Sequence, residues 1–197
     1  VSNGQSLQKG LPVLLSRMPM THATVTEDLL QTARRFWLMK TEPGECSIDD
    51  ALAAPGRRVS WFGIRNYQAR NFMRDDMTVG DAVLFYHSSC PKPGIAGIAR
   101  IASGVYPDEL QFDPKSEYYD PKSTREKPRW LTLDVEALFK CPVVEIGRLR
   151  EAPELSGMRV LQKGNRLSIT PVEKAEFAFI VPVSYTHLRA HETLRHL

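Results

Sequence analysis

The chain has 197 residues, 42% of them apolar, enough to bury the core of one domain. Its three cysteines, Cys46, Cys90 and Cys141, are odd in number and form no CxxC pair, which excludes a disulfide framework and a zinc pattern. The formal charge of +3 lies at the ends: residues 36–183 carry 20 Lys plus Arg against 20 Asp plus Glu, a net of zero, which excludes a polyanion binder that works by bulk charge.

In chain order, residues 1–17 show no sustained hydrophobic period, and the chain opens on Val1. Met18 or Met20 therefore reads as the native start, and residues 1–35 are expected to be an extension, partly non-native or disordered. Segment 11–15 is too short for a signal peptide's apolar region and contains Pro12. Residues 36–39 are bulky and apolar, end at Glu42-Pro43-Gly44, and predict a strand. Ser47 stands three residues before Asp50, a capping pattern that predicts a short helix through Leu52. Ala54-Pro55-Gly56 stops it. A helix is predicted from Asn66 or Tyr67 to Met73. Val79-Gly80-Asp81 is a turn before 82–87, a near-continuous apolar run that reads as a well-buried strand.

Residues 94–106 predict another strand, with Gly94, Gly97 and Gly104 allowing bends. Residues 107–128 hold four prolines, alternating charges and a Tyr pair, and read as a long surface loop of the kind that is often functional. Residues 130–139 alternate and predict a strand that 142–146 continues. Thr170-Pro171-Val172-Glu173 has the form of a capped helix start with Pro at the first position, predicting a helix to about Ile180. Residues 184–197 resemble translated vector sequence and hold three of the five histidines, so no metal site is read there. Several strands with few, short helices give an α+β class, a partly closed β-barrel decorated by short helices. No apolar run reaches membrane-spanning length. Free thiols fit a reducing compartment, so the protein is expected to be cytoplasmic, or nuclear if eukaryotic, and monomeric.

The most informative stretch is 61–74. It combines Trp61, Phe62 and Tyr67 with Asn66, Asn71 and Gln68, and with Arg65, Arg70 and Arg74. Extended back to Arg57 and Arg58, it holds five arginines before the first carboxylate, Asp75. Aromatic faces stack on bases, amides read base edges, and Arg engages phosphate. The plainer alternative is an amphipathic helix with solvated arginines.

Residues 61–71, read with Trp37-Leu38-Met39-Lys40-Thr41-Glu42-Pro43, Phe85-Tyr86-His87-Ser88-Ser89-Cys90 and Pro93-Gly94-Ile95-Ala96-Gly97-Ile98, resemble the signature segments of the EVE-domain family, in the family's order. Tyr118-Tyr119-Asp120-Pro121 and Arg166-Leu167-Ser168-Ile169 also fit. The resemblance covers about residues 36–182 and implies a PUA-like fold, related in shape to YTH and ASCH domains, and a reader of modified bases in nucleic acid. It implies pocket positions for Lys40, Trp61, Asn66, Tyr86, His87 and Ser88. Thr41 stands where many relatives carry Ser, and Phe62-Gly63 where Asp-Gly or similar occurs.

Each candidate has a structural alternative. Trp61, Tyr86 and Trp37 are candidate aromatic walls around an unstacked base, whereas Trp is usually core. Trp61 lies in a loop beside polar residues, while Trp130 lies in a strand and reads as packing. Asn66 can cap the helix that follows it. Glu42 can accept from the exocyclic amine of cytosine or pair with an Arg. His87 and Ser88 follow a buried strand and suit a base edge; for a catalytic triad His87 lacks partners that the sequence places. Gly94-Ile95-Ala96-Gly97 is not a nucleotide fingerprint.

The reading is therefore a non-catalytic module with no cofactor or metal, recognising a modified base such as methylated or hydroxymethylated cytosine in DNA. Its expected pocket is Trp37, Lys40, Thr41, Glu42, Trp61, Asn66, Tyr86, His87 and Ser88. Arg57, Arg58, Arg65, Arg70 and Arg74 are expected along the nucleic-acid backbone. The alternatives are an RNA-binding module for modified tRNA or rRNA, or a small enzyme using His87 or Cys90.

Overall fold

Two apolar runs lie side by side at the centre of the structure. A computed structural model describes residues 21–182. In it β1 (Phe36–Thr41) and β3 (Ala82–His87) pair in parallel, Phe36 opposite Ala82 and Thr41 opposite His87. The sheet extends antiparallel on both sides through β2 (Arg58–Ser60), β4 (Gly94–Ile101), β7 (Asp134–Glu145) and β8 (Ile169–Val172), in the order β2-β7-β4-β3-β1-β8. β5 (Tyr106–Pro107) and β6 (Leu131–Thr132) form a separate two-stranded ribbon. The class is α+β. The sheet does not close into a barrel, because β2 and β8 remain its edges.

Strand alternation divides the core in two. Phe36, Leu38, Ala82, Leu84 and Tyr86 face one apolar cluster. Trp37, Met39, Val83 and Phe85 face the other. Successive side chains of a strand point to opposite faces, so a strand covered on both sides reads as a continuous apolar run. Helix α1 (His22–Thr32), α4 (Ile146–Glu151) and α5 (residues 174–182) supply the first cluster with Leu29, Leu149 and Phe177. Helices α2 (Ile48–Ala53) and α3 (Tyr67–Asn71) supply the second with Ile48, Ala51 and Ala69. The chain continues from α3 into a π-helical turn, Phe72–Asp76.

Capping behaves as the residues dictate. Ser47 accepts from the Asp50 N–H while the Asp50 carboxylate accepts from the Ser47 N–H, a reciprocal box. The Thr170-Pro171 pattern, by contrast, does not start a helix. Residues 169–172 are β8, paired with β1, and Pro171 is tolerated because an edge strand leaves its missing N–H unneeded. The helix begins three residues later, where the Glu176 carboxylate reaches back to the Glu173 N–H at 2.8 Å. The 94–106 strand ends at Ile101, and 134–145 forms one 12-residue strand. Within the expected N-terminal extension, residues 22–32 form α1, and Leu29 is 2% exposed in the core. The vector-like tail lies outside the described residues.

Candidate functional site

The C-terminal ends of β1 and β3 open onto a cleft of about 350 Å³, at the lower end of ligand-site sizes. Lys40, Thr41 and Glu42 line it from β1, and Ser88 from the exit of β3. The Ser88 N–H and hydroxyl both donate to the Thr41 carbonyl, at 2.8 and 3.2 Å, tying the two exits together. Ser60, Trp61, Phe62, Gly63 and Ile64 form the opposite wall. Tyr118, Arg166 and Ser168 complete it from distant loops.

Three polar groups of residues that line the cleft are without protein partners among the described residues. Trp37 donates its indole N–H to Asp81 at 3.0 Å and Trp130 donates to Asp120 at 2.7 Å, but the Trp61 indole has no acceptor among the described residues. Ser123 Oγ is the single side-chain polar atom among the described residues that is both sealed and unpartnered, so the Trp61 N–H borders accessible space. The Lys40 ammonium is half-buried, has the Tyr86 ring at 6.0 Å, and bonds to no carboxylate or carbonyl among the described residues. Burial holds it below the ordinary lysine pKa. The Glu42 carboxylate is exposed and makes no ion pair among the described residues. A half-desolvated donor without an acceptor is a place for a ligand oxygen or nitrogen.

Tyr118 is a wall built by its neighbours. Its hydroxyl donates to the Glu45 carboxylate, and burial together with Glu45 raises its pKa. Its ring lies where a side chain on Gly63 would be: a Cβ there would stand 2.8 Å from the ring, and Gly63 has φ +78°. The Tyr118 carbonyl accepts from Arg65 Nε and Nη2, at 2.9 and 2.6 Å. Arg65 Nη1 pairs at 2.8 Å with Asp108, whose other contacts include the Gly63 N–H. One guanidinium thus fixes both the Gly63 loop and the Tyr118 wall.

An EVE domain model matches residues 35–183. The chain belongs to the EVE-domain family. Human thymocyte nuclear protein 1 is 37% identical over 175 residues, covering 80% of this chain and 77% of that protein. A crystal structure of a Pseudomonas putida protein aligns with TM-score 0.72 at 48% identity, covering 76% of this chain and 99% of that one. The human THYN1 protein, solved in complex with 5-methylcytosine-containing DNA, aligns with TM-score 0.71 at 36% identity, covering 76% of this chain and 97% of that one.

In this EVE domain the expected pocket separates into two sets. Lys40, Thr41, Glu42, Trp61 and Ser88 come together at the cleft; Trp37, Asn66, Tyr86 and His87 do not line it. Trp37 is 1% exposed and packs on Phe72 beneath α3. Tyr86 projects to the opposite face of the sheet, one residue out of phase with Phe85. Asn66 caps α3, accepting from the Gln68 and Ala69 N–H groups. His87 Nε2 accepts the Ile48 N–H at 3.0 Å at the start of α2, and burial lowers its pKa against the opposing pull of Asp49 and Asp50. Trp61 is both wall and core: it is 5% exposed and meets Phe85 edge-on.

The expected arginine face does not form as a unit. Arg65 is taken by Asp108 and Tyr118. Arg70 donates to the Asn71 side chain and the Arg129 carbonyl. Arg74 is bidentate to Asp75, and Arg57 donates to the Leu138 carbonyl. Arg58, exposed on edge strand β2, has no bonded partner among the described residues. Glu45, Cys46 and the Tyr118 wall were not foreseen as site residues. The signals for Tyr118 were the Tyr pair in a proline-rich loop and the fit of Tyr118-Tyr119-Asp120-Pro121 to the family's segments.

Proposed function

We propose that this EVE domain reads a modified base in DNA, holding it unstacked in the cleft. The carrying observation is that Trp61, Lys40 and Glu42 all line one aromatic-walled cleft, while the Trp61 indole N–H, the half-buried Lys40 ammonium and the Glu42 carboxylate are without protein partners among the described residues. Trp61 and Lys40 donate to ring nitrogen and carbonyl acceptors of the base, and Glu42 accepts from an exocyclic amine. Phe62, Ile64 and Tyr118 give the apolar and aromatic contact that a substituted pyrimidine needs. The complex of the human THYN1 protein with 5-methylcytosine-containing DNA supports cytosine modified at its 5-position as the ligand.

The module binds and does no chemistry. The cleft thiol, Cys46, is pushed up in pKa by burial and by the charges of Asp50 and Glu45, which suppresses the thiolate that a nucleophile requires. His87 Nε2 is already used by the Ile48 N–H. The protein acts where DNA is, in the nucleus of a eukaryote or the cytoplasm of a bacterium. No helix among the described residues is long and apolar enough to cross a membrane.

The test is fluorescence anisotropy with duplexes carrying one 5-methylcytosine, one 5-hydroxymethylcytosine or cytosine at a single position, beside the matched RNA. Tighter binding to a modified DNA is the expected result. Equal affinity for all four would overturn the reading, and tighter binding to RNA would favour the RNA module.

A further inference from the structure

A second depression adjoins the cleft and shares Ser60 and Phe62 with it. It measures about 340 Å³, and Tyr106, Pro107, Leu110 and Thr132 form the rest of its apolar surface. Two of its rings are exposed, Phe62 at 39% and Tyr106 at 38%. Tyr106 has neither a ring nor a cation packed on its face among the described residues. This sets it apart from exposed Tyr67, which is stacked on Trp130 at 4.9 Å and carries Arg70 at 4.7 Å. The Tyr106 hydroxyl is anchored, donating to Asp134 at 2.6 Å and accepting from the Ser60 hydroxyl at 3.2 Å, so the open ring is held in place.

The charges around it are arranged for a strand of nucleic acid. Asp108 is buried and taken by Arg65, Gly63 and Leu110, and Glu109 pairs with Arg125 at 2.9 Å. Arg58 sits two residues before Ser60 on β2, on the same side of the strand and about 7 Å away along it. Glu136, the cross-strand neighbour of Arg58, is engaged by Arg100 at 3.0 Å. Asp108, Glu109 and Glu136 are each paired with an arginine, Asp134 accepts from the Tyr106 hydroxyl, and the Arg58 guanidinium is unbonded among the described residues.

We propose that this depression is the stacking subsite for the nucleotide flanking the modified base, with Tyr106 and Phe62 as its platform and Arg58 meeting its phosphate. This rests on the reading of the cleft as the base site. A base held in the cleft carries its neighbour along the same strand, and the depression is continuous with the cleft at Phe62. Stacking on an exposed aromatic tolerates any base, so the subsite adds affinity for a strand without adding sequence preference.

Calorimetry can separate the two layers. The ligands are 5-methyl-2′-deoxycytidine monophosphate, a trinucleotide with that base in the centre, and the same trinucleotide with abasic flanks. The wild-type protein should bind the full trinucleotide about tenfold tighter than the mononucleotide, the scale of one base–aromatic stack, and the abasic flanks should remove that gain. Tyr106→Ala should lose the gain and keep the mononucleotide affinity. Tyr106→Phe, which keeps the ring, should keep both. A gain that survives abasic flanks or Tyr106→Ala would overturn the subsite while leaving the cleft reading intact. Absence of any mononucleotide binding by the wild-type protein would instead reject the cleft as the base site, and the subsite with it.

Discussion

Residues 61–64 and residues 65–74 are continuous in sequence, yet they end in opposite states. In the first, Trp61 lines an open cleft and its indole N–H has no acceptor among the described residues. In the second, Arg65, Arg70 and Arg74 direct their guanidinium groups at protein oxygens. The residue types of the second stretch look more like a nucleic-acid surface, and the geometry makes them scaffold. Composition says which contacts a residue can make; the hydrogen bonds already present decide which remain for a ligand.

The largest effect expected from this contrast is on stability. Arg65→Ala leaves Asp108, with 1% of its side chain exposed, without its counter-charge, and frees the Tyr118 carbonyl. The expected loss is about 3–5 kcal/mol, measured by urea unfolding. If Arg65 instead tracks the DNA backbone, the variant will unfold like wild type and bind with a salt dependence flattened by about one charge.

Gly63→Ala comes next. Its Cβ would meet the Tyr118 ring at 2.8 Å, at a backbone φ of +78°. A cost of about 1–3 kcal/mol follows from the left-handed backbone, and base binding should fall because the wall is displaced. Wild-type binding by this variant would remove Tyr118 from the site.

His87 should give a smaller, pH-dependent effect. Burial lowers its folded pKa, so the unfolded chain takes the proton more readily than the folded one. Its contribution is present above the ordinary histidine pKa of about 6.5 and is lost as pH falls through the lowered folded value. Unfolding midpoints measured from pH 8 downward should decline over that window, and His87→Gln should flatten the decline. An unchanged profile in the variant would show that other groups carry it.

The smallest effect belongs to Arg74→Gln. Its ion pair with Asp75 is exposed on both sides, so solvent screens it and the unfolding midpoint should stay near that of the wild type. DNA affinity should not change; a clear drop would restore the arginine face at that position.

Much of the fold was legible because local rules and tertiary packing agreed. The apolar run 82–87 is a strand buried on both faces, and Ser47 caps α2 as its spacing indicated. Thr170-Pro171 misled because a helix-start pattern and an edge-strand proline share the same residues, and pairing with β1 decided between them. Of the expected pocket residues, those leaving β1 and Trp61 line the cleft. Tyr86 lies on the other face of the sheet because its direction depends on strand phase, which a continuous apolar run hides. Tyr118 and Glu45 meet across 73 residues, and no local pattern encodes that contact. The arginines misled for a related reason: Asp108 and the Tyr118 carbonyl are as distant in sequence from Arg65 as they are close in space.

The most direct test of the cleft is the three tryptophan indole N–H signals in a ¹H–¹⁵N NMR spectrum, with Trp61 assigned by Trp61→Phe. Titration with a 5-methylcytosine oligonucleotide should shift the Trp61 indole signal strongly. The Trp37 and Trp130 signals, already bonded to Asp81 and Asp120, should stay near their free positions. An unmoved Trp61 indole at saturating DNA, with shifts at the Arg70 and Arg74 side chains instead, would contradict the cleft and return binding to the arginine segment.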